Sequence, residues 1–283
     1  MSWRQRSVSL PGRGEIFLRE SAGPPNAPTL VLLHGLGATG LLNWGPAFES
    51  LVGSYRVLVV DHRGHGRGMR IRAPFRLADC ADDVAALTES LEIDRFIAVG
   101  YSMGGPIAQL LWQRHRGRIE GLVLCATACR FASRDRRRLS HAFSPFLNLA
   151  GRFAPRRTIR RAAEQWLSGA IKDPALRDRV LSEVRSSDPV TVGQAAAALM
   201  RFDSSPWIGK IDVPTAVVVT ELDRLIPPAS QRAMAQQISG SVVHEVRGDH
   251  SVCVTQPGLF VPILEQASAA VVKSIAKNVG RSR

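Results

Sequence analysis

The chain has 283 residues, 45% of them hydrophobic and 22% charged, with a formal net charge of +13. It is long enough to bury a substantial core and ordinary in balance for a globular protein, so a minimal module is excluded. Its four cysteines, Cys80, Cys125, Cys129 and Cys253, form no C-x-x-C pair, which argues against a zinc site or disulfide framework and for buried thiols.

The first residues, Met1 to Arg6, lack the apolar core of a secretory signal, and no uninterrupted stretch approaches the roughly 20 apolar residues of a membrane span. A cytoplasmic chain is the expectation. Ser7–Leu10 and Glu15–Arg19 read as strands before a turn cluster at Gly23–Asn26. Thr29–Leu33 is a continuous apolar run, the pattern of a strand covered on both faces in a parallel sheet, and Arg56–Val60, Phe96–Val99, Gly121–Cys125 and Thr215–Val219 repeat it. Between them, Leu77, Cys80, Val84, Leu87 and Leu91 recur at helical spacing. Pro106 falls just inside a helix that follows Ser102, where its missing amide hydrogen costs nothing.

From Ala126 to Val213 the alternation stops. Ala162–Leu167, Asp178–Arg185 and Val192–Phe202 read as helices separated by prolines, so 130–208 is expected to form a helical cap inserted into a core of 1–129 and 209–283. Between Arg130 and Arg161 lie ten arginines and one acid, which leaves +4 for the rest of the chain. Phe131, Phe143, Phe146, Leu147 and Phe153 share that segment, a mix suited to a lid over an apolar cavity rather than to a nucleic-acid motif. Its arginines leave three readings open: a solvated face, contact with an anionic surface, or contact with a phosphorylated carrier. Helical patterns resume at Pro228–Ile238 and Leu259–Lys277, and the tail from Asn278 is expected to fray.

The chemistry centres on Gly100-Tyr101-Ser102-Met103-Gly104. A G-x-S-x-G segment between a strand and a helix lifts a serine hydroxyl out on a tight turn, and Gly100 and Gly104 omit the β-carbons that such a turn cannot hold. A serine needs a neighbouring base to become a nucleophile. Asp223 follows the strand Thr215–Val219, and His250 follows a short strand at Val242–Val246.

This order, serine, acid and histidine each after a strand, resembles the α/β-hydrolase superfamily over nearly the whole chain outside the cap. The resemblance implies an α/β fold, a mostly parallel twisted sheet flanked by helices, with Ser102, Asp223 and His250 as catalytic residues. Asp223 is preferred to Glu221 because Pro227 matches the family's spacing. The implied oxyanion donors are the backbone amides of Met103 and of Leu36 in His34-Gly35-Leu36-Gly37, with His34 bracing that loop. Asp61-His-Arg-Gly-His-Gly66 is similar to the family's D-x-R-G-x-G turn, although Arg67-Gly68 replaces the serine commonly found next. His62 and His65 lack the carboxylate or cysteine companions of a metal site, so no metal is expected. No G-x-G-x-x-G or Walker loop is present, and no cofactor is implied.

A serine in the place of aspartate disfavours epoxide hydrolase and haloalkane dehalogenase chemistry. The expected activity is hydrolysis of small to medium lipophilic carboxylic esters through an acyl-enzyme. Phe143, Phe146, Leu147, Trp166, Met200 and Trp207 are the expected lining of the pocket, and a small-molecule ester or lactone is the expected partner, without nucleic acid. A lactonase, C–C bond hydrolase, thioesterase, cofactor-free perhydrolase or non-catalytic small-molecule receptor are the alternatives, and oligomeric state is left open.

Overall fold

The computed structural model describes residues 3–132 and 174–281. Two strands, β1 (Arg4–Leu10) and β2 (Gly14–Ser21), open it as an antiparallel pair. They are followed by β3 (Thr29–Leu33), β4 (Arg56–Val60), β5 (Phe96–Tyr101), β6 (Ile119–Cys125), β7 (Thr215–Thr220) and β8 (Val242–Val246). All eight form one sheet in the order β1-β2-β4-β3-β5-β6-β7-β8, parallel from β4 to β8. The apolar runs become strands because both faces are covered. Val31, Leu33, Phe96 and Ala98 enter one hydrophobic layer, while Leu30, Leu32, Ile97 and Val99 enter the opposite one. That is the two-residue alternation of a pleated strand.

On the first face lie α2 (Leu77–Ser90) and α3 (Gly104–Arg114), whose Cys80, Val84, Leu87, Ile107 and Leu111 are buried. On the second lies α1 (Gly40–Leu51), which sequence reading passed over because Gly45 and Pro46 interrupt it. Thr39 caps α1, its hydroxyl accepting from the Leu42 amide at 3.1 Å, and Trp44 and Phe48 bury its inner side. The last helix, Pro257–Arg281, runs through Arg281, so the expected fraying from Asn278 is not found as far as that residue. In this last helix Pro257–Asn278 has a mean hydropathy of 1.4, long and apolar enough to cross a membrane although charged and polar residues interrupt it. Its Phe260, Leu264, Ala267 and Val271 recur at helical spacing and pack into the second layer against the sheet.

Between β6 and β7 the described residues hold α4 (Pro174–Arg185) and α5 (Pro189–Arg201) and, apart from an isolated bridge between Arg130 and Asp203, no strand. The expected helix Ala162–Leu167, and most of the arginine cluster, lie outside the described residues. Loops of the sheet hold α4 and α5 by polar bonds. The Asp188 amide donates to Gly64 O at 2.7 Å, the Gly66 amide to Ser187 Oγ at 3.0 Å, the Phe75 amide to Gln194 Oε1 at 3.0 Å, and Thr39 Oγ1 to Glu183 Oε2. The remaining helices are α6 (Pro228–Gln237), the short α7 (Val252–Thr255) and α8 (Pro257–Arg281).

Candidate active site

The turn between β5 and α3 carries Ser102 at φ 51°, a left-handed conformation that a non-glycine residue adopts at a cost of order 1–3 kcal/mol. Its neighbours explain how it persists. The Ser102 amide donates to Cys125 O at 3.0 Å, and Ser102 O accepts from the Gly105 amide and from Thr127 Oγ1, both at 2.9 Å. A β-carbon on Gly100 would fall on the Gly104 carbonyl, one on Gly104 on the Leu33 carbonyl, and one on Gly105 on the Thr127 side chain. Glycine is required at Gly100 and Gly104 because helix and strand approach backbone to backbone there, and at Gly105 because the Thr127 side chain fills the space.

Three loops at the same end of the sheet then meet. His250 Nε2 lies 2.9 Å from Ser102 Oγ, and His250 Nδ1 lies 2.7 Å from Asp223 Oδ2. A carboxylate can only accept, so Nδ1 carries the proton and Nε2 is left to accept from the serine hydroxyl. Asp223 is 4% exposed and densely bonded. Its Oδ1 accepts from the Leu225 and Ile226 amides at 2.9 Å each, and its Oδ2 from Thr220 Oγ1 at 2.8 Å. Burial works against its charge, but the hydrogen bond and charge of His250, the Ile226 amide and the Thr220 hydroxyl outweigh that and hold its pKa below the usual carboxylate value. Glu221, the rival acid, is exposed, and Asp249 turns outward to accept from the Ser251 amide at 2.8 Å.

The loop after β3 closes the other side. Gly35 packs so tightly that an added β-carbon would lie 3.3 Å from Ser102 Cβ. Its amide donates to Asn43 Oδ1 at 2.7 Å. His34 accepts from the His62 amide at Nε2, 2.9 Å, which puts its proton on Nδ1, the donor to Gly35 O at 2.8 Å. Because the trans peptide sets C=O and N–H on opposite sides, this bond turns the Leu36 amide away from His34. Met103 begins the helical backbone just before α3, so its amide is among the unbonded donors at a helix start. In the D-x-R-G-x-G turn, Asp61 accepts from Arg19 Nη1 at 3.1 Å and from the Gly40 and Arg67 amides at 2.9 and 3.0 Å. Gly68 is needed there, since a β-carbon would strike the His62 carbonyl.

Residues 30–263 match the alpha/beta hydrolase family. The chain belongs to that family. It is 30% identical to RutD of Serratia proteamaculans (strain 568), named for carbamate hydrolysis, over 85% of this chain and 90% of that protein. The enol-lactonase of Burkholderia xenovorans LB400 superposes with a TM-score of 0.77 at 25% identity, covering 93% of this chain and 100% of that one. A thermophilic esterase of Thermogutta terrifontis does so with a TM-score of 0.76 at 26% identity, covering 95% and 99%.

In this hydrolase a cavity of about 490 Å³ opens beside the acid loop, lined by Arg130, Phe131, Ala132, Leu225, Ile226, Pro227 and Ser230. Leu225 is 64% and Leu222 56% exposed, both on that loop. Of the expected pocket residues, Phe143, Phe146, Leu147 and Trp166 lie outside the described residues. Met200 is half-buried on α5. Trp207 stacks on Trp112, eight residues along α3 from Gly104, with ring centroids 6.2 Å apart. From it a row of rings runs through Phe202 to Phe131 at the cavity wall. Tyr101, Thr220, Gln231 and Asn43 brace the site and had not been singled out. Only Tyr101, inside the elbow motif, carried a signal. Its hydroxyl donates to His250 O at 2.8 Å. Among the described residues no group of three or more His, Cys, Asp and Glu side chains is arranged to hold a metal ion.

Proposed function

We propose that this hydrolase cleaves carboxylic esters of small to medium lipophilic substrates through an acyl-enzyme. The observation that carries the reading is the unbroken chain from Ser102 Oγ to His250 to Asp223, at 2.9 and 2.7 Å. As Ser102 Oγ bonds to the acyl carbon, its proton passes to His250 Nε2 and the carbonyl electron pair moves onto oxygen. The Leu36 and Met103 amides receive that negative oxygen. Collapse expels the alcohol, which takes the proton from Nε2, and water repeats the sequence to free the acid. Asp223 holds the imidazole in its tautomer and stabilises the cation.

The cavity beside Ile226, apolar on Phe131, Leu225 and Pro227, supports a lipophilic arm of limited size. The interval 130–208 is proposed as the cap above it. A cyclic ester would pass through the same steps, and the likeness to an enol-lactonase supports a lactone as the second reading. The test is stoichiometric labelling by a fluorophosphonate together with turnover of p-nitrophenyl butyrate, each lost in Ser102→Ala while the fold is kept. Labelling that persists in Ser102→Ala would refute the assignment. A panel of matched esters, thioesters and lactones then ranks the substrate classes.

A further inference from the structure

Gly35 poses a physical problem. Its closeness to Ser102 Cβ means a side chain would press on the nucleophile, yet a glycine leaves two unrestricted dihedrals immediately before an amide that must point in one direction. The structure removes that freedom with hydrogen bonds on both flanking peptide groups. His34 Nδ1 and the Ala38 amide, at 2.8 and 3.3 Å, hold the carbonyl of the 35–36 unit. The 34–35 unit is held through its N–H by one side chain, Asn43 on α1, which is 5% exposed. An amide hydrogen can only donate, so the oxygen of Asn43 faces Gly35 and its nitrogen faces the other way. That nitrogen donates to Cys253 Sγ at 3.3 Å, on α7, three residues past His250. Cys253 is a buried free thiol, held neutral by its surroundings. Asn43 therefore spans the loop after β3 and the segment that carries the histidine, using both ends of one buried amide.

We infer that Asn43 is a positioning residue for ester cleavage: it fixes the 34–35 peptide so that the Leu36 amide faces the developing oxyanion, and it ties that loop to the histidine segment. The inference rests on the hydrolase reading given above. It accounts for a polar side chain in an otherwise apolar layer beside Trp44 and Phe48, where an amide is costly unless both ends are bonded.

The test compares Asn43→Ala, Asn43→Asp and Cys253→Ala with the parent on p-nitrophenyl butyrate, with thermal melting to confirm folding. Asn43→Ala is expected to lower kcat by about ten- to hundredfold, toward the loss seen when an oxyanion donor is removed, with KM within threefold. Affinity for phenylboronic acid should fall by a similar factor. That probe forms a tetrahedral adduct when Ser102 Oγ adds to boron and its proton passes to His250, leaving the negative charge on the boronate. Asn43→Asp, which keeps an acceptor for Gly35, should recover most of kcat, and Cys253→Ala, which cuts the tie to the histidine segment but leaves Gly35 held, should lower kcat less than Asn43→Ala does. If Asn43→Ala does not fold, Asn43→Ser takes its place. A kcat within twofold of the parent, a loss confined to KM, or unchanged boronate affinity would overturn the inference. Hydrogen exchange of segment 34–38 should quicken in Asn43→Ala whatever the turnover, and unchanged exchange would also overturn it. A parent that is neither labelled nor active would instead sink the hydrolase reading.

Discussion

Two sets of histidines stand at the same end of the sheet and behave in opposite ways. His250 has Asp223 on one ring nitrogen and Ser102 on the other, with its side chain 20% exposed. His34, His62 and His65 are wholly buried, the rings of His62 and His65 lying 4.4 and 5.2 Å from that of His34. Burial lowers the pKa of all three, against the pull of Asp61 at His34, and brings His65 to about 3. Asp61, the carboxylate that acts on His34, is already engaged by Arg19. His62 Nε2 and His65 Nε2 are buried without a hydrogen-bond partner among the described residues. The difference teaches that proximity to the nucleophile does not make a histidine a base. A carboxylate behind the ring that is held by neutral donors and not by an arginine does, because it makes the cation tolerable.

The most damaging way to break the contrast is to remove that carboxylate. Asp223→Asn should lower kcat by about 10³- to 10⁴-fold, since the ring then loses its tautomer and its counter-charge. Glu221→Gln should stay within about twofold, given its exposed side chain. Steady-state kinetics on one ester decides it, and the reverse pattern would move the acid to Glu221. A smaller effect tests the bracing histidine. His34→Ala should cost about tenfold in kcat through the freed 35–36 peptide. His34→Asn, which keeps a donor near the Nδ1 position, should cost less. Equal losses would show that His34 acts through packing alone.

Much of this contrast was legible in the residue order. Ser102 stood out because it follows a strand whose apolar run needs no tertiary information to read, and His250 because it follows a short strand in the order the family resemblance implies. The elbow glycines stood out because their spacing matches a backbone collision that the structure places at Gly104 and Leu33. Asp223 could be ranked above Glu221 only by resemblance. What separates them is an Asx-type turn, with the Leu225 and Ile226 amides both bonded to Oδ1, and such a turn is indistinct before the loop is built. Asn43 and Gln231 were invisible for a different reason. Their partners lie on other elements, Asn43 reaching Cys253 across 210 positions, and local pattern holds no trace of such pairings. The helix that carries Asn43 was hidden as well, because Gly45 and Pro46 read as breakers.

The smallest effect is on stability rather than rate, and it isolates the buried histidines from His250. An unfolded histidine takes up its proton near pH 6.5, whereas folded His65 does so only near 3. Between those values the unfolded chain binds more protons, so stability rises with pH across the window and is lost as acid is added below about 6.5. For one such group the loss from pH 7 to pH 5 is about 2 kcal/mol. His65→Asn keeps a donor for the Arg63 carbonyl and cannot be protonated. Its melting temperature should therefore fall less than the parent's over the same two pH units, by a few degrees. Asp223, whose folded pKa is also depressed, acts only at lower pH, below the carboxylate's unfolded value near 3.9, so it does not blur the comparison. Parallel melting curves for the two proteins between pH 7 and 5 would mean that His65 takes up its proton as freely folded as unfolded. The contrast would then rest on Asp223 alone.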